Sequence, residues 1–113
     1  MIRGVFTLLL SLTLAAAAAA QAVTWQIDPN HSAAQFSVRH LGVSTVRGAF
    51  TKVSGTAQYD TADPTKASLD ATIDASSVDT RVQMRDNDLR SPNFLDVQKY
   101  PTITFKSKSA KAA

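Results

Sequence analysis

Two histidines and nine acidic residues, all of them aspartates, are the side chains of this 113-residue chain that could do chemistry. Their spacing argues against most of it. His31 and His40 are too far apart in sequence for a two-histidine metal motif, and neither cysteine nor glutamate is present to complete a ligand set. No Gly-x-Ser-x-Gly elbow orders a serine against a base, and the four glycines are dispersed, so no phosphate-cradling loop forms. His31 sits in the turn Asp28-Pro29-Asn30-His31, where a local hydrogen bond is expected. His40 continues the phase of Phe36 and Val38. No residue is assigned a catalytic role, and no metal or cofactor is expected. The rival reading is a hydrolase or metal-dependent enzyme built on His31 and His40.

The elements that position these residues are strands. Val23, Trp25 and Ile27 alternate with polar neighbours, as do Ala34, Phe36 and Val38. Val46, Gly48 and Phe50 share one face, and Val53, Gly55, Ala57 and Tyr59 share the next. The phase changes near Thr51 and Lys52, which predicts a bulge or bend there. Leu69, Ala71 and Ile73 form another inward row, and Ile103 and Phe105 the last. One segment breaks the rhythm. Residues 81–90 suit a short helix, with Asp79 or Thr80 as its cap and Ser91-Pro92 as its stop. Asn93 is expected to cap a second turn carrying Phe94, Leu95 and Val97.

One-sided alternation in successive strands predicts an all-β fold, an antiparallel sheet curled over its own apolar face, with a short helical insert. About five full strands are visible, whereas a closed barrel that holds a ligand generally needs around eight. The barrel is therefore expected to be incomplete.

The N-terminus carries an export signal. Arg3 precedes an apolar run from Val5 to Leu14, and an alanine-rich stretch ends in Ala20-Gln21-Ala22, a small-x-small cleavage signature. Residues 1–22 are read as a signal peptide and residues 23–113 as one domain, periplasmic or secreted. Without cysteine there is no lipidated N-terminus and no disulfide, so no stable membrane anchor is expected. The net charge of +3 comes from scattered basic residues, with a loose cluster at Lys106, Lys108 and Lys111 and no interleaved aromatics. That pattern argues against nucleic-acid binding.

The residues also carry a resemblance. Asp28-Pro29-Asn30-His31-Ser32, Phe36-Ser37-Val38-Arg39-His40, Val46-Arg47-Gly48-Ala49-Phe50, Ser77-Val78-Asp79-Thr80 with Met84 to Ser91, and Ser91-Pro92-Asn93-Phe94-Leu95-Asp96 with Lys99 to Ser107 occur in order. Together they resemble the N-terminal portion of the YceI-like family, polyisoprenoid-binding proteins with a lipocalin-like barrel. Leu95 stands where the family more often has a second aromatic.

The resemblance implies a binding protein whose apolar interior holds a long isoprenoid lipid, a polyisoprenoid quinone or its precursor. Family members continue with further strands that close the barrel, so a truncated, non-binding fragment is a further alternative. Unpaired strand edges would also permit a homodimer. The lining expected on this basis is Trp25, Ile27, Phe36, Val38, Phe50, Leu69, Ile73, Ile103 and Phe105. His40 at the barrel mouth, with Arg85 and Arg90 from the helical insert, are the candidates for a polar head group. The competing reading of the insert is a solvated helix with Asp86 and Arg90 as an i,i+4 pair, worth a few tenths of a kcal/mol.

Overall fold

The computed structural model describes residues 22–113, so the predicted signal peptide lies, apart from Ala22, outside the described residues. Seven strands and one helix follow in chain order: β1 (Val23–Gln26), β2 (Ala34–His40), β3 (Ser44–Phe50), β4 (Val53–Tyr59), β5 (Ser68–Asp74), β6 (Val78–Asp79), α1 (Gln83–Arg90) and β7 (Thr102–Lys106). They form two antiparallel sheets, one of order β1-β4-β5-β7 and one of order β2-β3-β6. Among the described residues these sheets do not close into a barrel.

The registers follow the apolar alternation. In the larger sheet Trp25 faces Ala57, which faces Leu69. Val53 faces Ile73, which faces Ile103, and Ala71 faces Phe105. In the smaller sheet Ala34 pairs with Phe50, Phe36 with Gly48 and Val38 with Val46. A slip of one residue in any ladder would send these rows to the opposite face, so the pattern itself selects the register.

The predicted bulge at Thr51 and Lys52 is instead the place where the chain leaves one sheet for the other. Thr51 and Lys52 donate their N–H groups to the carbonyl and hydroxyl of Ser77, at 3.2 and 3.1 Å. The Lys52 carbonyl accepts from Asp74 N at 3.0 Å. This corner holds the buried apolar residues, Val53, Ala75 and Val78. Elsewhere the inward rows remain open: Phe36 and Phe50 are half-buried, and Phe105 is 55% exposed.

The helix forms where predicted but is capped the other way round. Neither Asp79 nor Thr80 caps it; Val82 occupies the N-cap with no side-chain bond. Asp86, one turn inside, reaches back and accepts from the backbone N–H of Thr80, at 2.9 Å, and from its hydroxyl. Both residues are buried, and the bond ties the helix to the end of β6. Asn93 does not cap the following turn either. The Ser91 hydroxyl accepts from Asn93 N at 3.2 Å, and Leu95 N donates to the Leu89 carbonyl at 2.9 Å. This fold-back brings Phe94 and Leu95 beside the end of α1.

Candidate functional site: an apolar groove under the helix

The smaller sheet and the helical insert enclose a groove of about 390 Å³ lined by Phe36, Phe50, Val78, Leu89, Phe94 and Leu95. Phe36 and Phe50 come from neighbouring strands, their rings 5.6 Å apart and tilted by 47°. Val78 follows from β6, Leu89 from the last turn of α1, and Phe94 and Leu95 from the fold-back. Every lining side chain is hydrocarbon, so the groove can bind by removing apolar area from water and has no group for acid–base or nucleophilic work.

Of the expected lining, Phe36, Phe50 and Val38 lie on one face of the smaller sheet, and the first two meet in the groove. Trp25, Leu69, Ile73, Ile103 and Phe105 lie in the aligned rows of the larger sheet. Ile27 follows β1, its N–H donating to the Gly55 carbonyl at 2.9 Å. Leu69 and Phe105 meet in a second shallow apolar depression, with Ala57 and Tyr59. Sequence reasoning missed Val78, Leu89, Phe94 and Leu95 as lining. They lie where the two-residue alternation stops; the cluster of apolar residues around Pro92 was the available signal.

The arginines of the insert have partners within the fold. Arg85 donates through Nε to the Thr80 hydroxyl at 2.7 Å and through Nη2 to the Thr80 carbonyl at 2.8 Å. Arg90 donates to the carbonyls of Ser76 and Val78, at 2.8 and 2.9 Å. The expected Asp86–Arg90 pair therefore does not form: Asp86 serves Thr80, while Arg90 holds the strand that floors the groove. Both guanidiniums act as clamps between the insert and β6.

The histidines are kept apart. His31 donates from Nδ1 to Asp28 Oδ2 at 2.7 Å, the local bond expected of that turn. This bond, with a further one from Asn30 N, holds the Asp28 carboxyl below its ordinary 3.8. Asp63 and Asp74 are lowered in the same way, first by the side chains of Thr65 and Ser76. All three carboxylates shape turns. His40 is exposed at the far end of β2. The strand that separates it from His31 spans about 20 Å at 3.3 Å per residue, so the two imidazoles cannot share a metal or a substrate atom. Among the described residues no three His, Cys, Asp or Glu side chains cluster as a metal set.

The YceI-like domain model matches residues 25–113, nearly all of the described chain. The chain belongs to the YceI-like family. The UPF0312 protein of Pectobacterium atrosepticum and the protein YceI of Escherichia coli O157:H7 are each 39% identical over 109 residues, covering 91% of this chain and 57% of the relative. A UPF0312 protein of Shewanella baltica is 38% identical over 108 residues. The crystal structure of Burkholderia cenocepacia BcnA matches with a TM-score of 0.68 and 28% identity, over 76% of this chain and 54% of that one. This YceI-like chain thus has the family's antiparallel, lipocalin-like fold and spans about half the length of the curated relatives it matches.

Proposed function

We propose that this YceI-like chain binds a long isoprenoid lipid, a polyisoprenoid quinone or its precursor, in the periplasm, and carries it without chemical change. The observation that bears the reading is the groove between β2, β3, β6 and the insert, whose six lining residues offer only hydrocarbon. Such a surface gains about 25 cal/mol per Å² of apolar area removed from water, before the costs of binding. A branched, unsaturated chain suits a groove edged by tilted aromatic rings. Family membership supports the same ligand class, and the export signal at Arg3 to Ala22 supports the compartment.

The test is to recover the protein from a periplasmic extract without detergent and examine protein and lipid together. Mass spectrometry should give Val23 as the N-terminus, and organic extraction should yield isoprenoid lipid in near-stoichiometric amount. Retention of Met1 on a membrane-bound species would overturn the compartment. An extract without isoprenoid lipid would overturn the ligand.

A further inference from the structure

The most exposed apolar side chains of the described residues include Leu41 and Val43, 84% and 87% exposed, at the tip of the β2–β3 hairpin. The turn is closed by Val43 N donating to the His40 carbonyl at 3.1 Å, with Leu41 at φ 51° and Gly42 at φ 68°. Two successive left-handed residues at a hairpin tip ordinarily call for Asn-Gly or Asp-Gly. A leucine there carries backbone strain, since its Cβ crowds the following carbonyl. The sequence therefore accepts strain in order to hold a large apolar side chain in water.

The charge carried by the hairpin itself has one sign, although Asp79 of β6 shares a surface depression with Arg47 at the end away from the tip. No acidic residue occurs from Pro29 to Tyr59, while Arg39, Arg47 and Lys52 do. Arg39 lies beside the tip, its Nη2 donating to the Gly42 carbonyl at 2.9 Å, and Arg47 follows on the same outer face. Arg39 stands at a surface that the tip would touch. Arg47, four residues along β3 from Val43, lies about 13 Å from it at 3.3 Å per residue, inside the Debye length only at low salt. On the opposite face the apolar row runs from Phe36 and Gly48 through Val38 and Val46 toward the tip.

We propose that the β2–β3 hairpin tip docks on an anionic lipid bilayer, with Leu41 and Val43 entering the headgroup–acyl boundary and Arg39 and Arg47 facing the anionic headgroups. Apolar side chains flanked by cations on one face suit a monotopic contact, and no helix of the described residues is long and apolar enough to cross a membrane. This contact is independent of the groove. Phe36→Asp should disturb lipid retention and leave docking intact, so the two readings fail separately.

Vesicle flotation tests it, because bound protein rises with the vesicles while aggregates sink. The chain as exported by the expressing cell should float with equimolar phosphatidylglycerol–phosphatidylcholine vesicles and far less with phosphatidylcholine alone. The double variant Leu41→Ser/Val43→Ser should lose about ten-fold or more in partitioning. Arg47→Gln should lose about five-fold at low salt. Met84→Ser, which removes an equally exposed apolar side chain from α1, should float as the parent does. Leu41→Asn should raise the thermal midpoint and weaken flotation, a split that a purely structural tip would not show. Equal flotation of parent and double variant, equal flotation on neutral and anionic vesicles, or an equal loss in Met84→Ser would overturn the proposal.

Discussion

Phe36→Asp should empty the groove. Phe36 lines it, in ring contact with Phe50 and opposite Gly48, whose missing side chain gives the ring its space. An aspartate there removes an aromatic face worth about 1.5–3 kcal/mol when fully covered. It also places a carboxylate against hydrocarbon, which costs several kcal/mol unless it is neutralised or reaches water. Together these exceed the roughly 2.8 kcal/mol that corresponds to a hundred-fold loss in affinity, at about 1.4 kcal/mol per decade. The extracted isoprenoid lipid should therefore fall below detection, while Phe36→Leu should keep most of it. Phe36 is only half-buried, so the ladder should survive, and circular dichroism of the variant should match the parent. Equal lipid in Phe36→Asp and parent would remove this groove from the binding site.

The groove was half legible in the sequence, for a physical reason. Phe36 and Phe50 belong to strands, where burial writes a period of two, and that period also set the registers of the four longer ladders. Val78, Leu89, Phe94 and Leu95 come from a two-residue strand, a helix end and a turn, and share no period. They converge because Leu95 N–H finds the Leu89 carbonyl and because Arg90 grips the carbonyls of Ser76 and Val78.

The same limit explains the misplaced cap. Asp86 reads from sequence as an exposed helical residue, since a carboxylate reaching back to bond Thr80 leaves no composition signal. The division into two sheets was visible only as a phase change at Thr51 and Lys52. Its cause, the acceptors offered by Ser77, lies well away along the chain.

Gly55→Ala should unfold the protein, and Gly42→Ala should not. Both glycines have positive φ, 140° and 68°, so each alanine pays for an unfavourable backbone. They differ in the space around them. A Cβ at Gly42 would meet nothing within 4 Å. A Cβ at Gly55 would lie 2.0 Å from the Asp70 carbonyl oxygen and 2.9 Å from the Ala71 Cα. Those atoms are backbone of β5, the strand paired with β4 from Val53 to Gln58, and no side-chain rotation can relieve the overlap.

The ladder must open there, and β1 is drawn in, since Ile27 N–H bonds the Gly55 carbonyl. Strain and the lost β4–β5 and β1–β4 pairing together should cost roughly 5 kcal/mol or more, the exceptional end for a single substitution. That is a large share of the 5–15 kcal/mol holding an ordinary domain, roughly its lower end for a chain whose inward rows are partly wet. Gly42→Ala should cost about 1 kcal/mol, the steric price of one left-handed alanine. Urea unfolding followed by circular dichroism separates the two. The midpoint should shift slightly for Gly42→Ala, whereas Gly55→Ala should be recovered unfolded or in inclusion bodies. A Gly55→Ala protein within about 1 kcal/mol of the parent would mean that β4 and β5 are not joined in the register described.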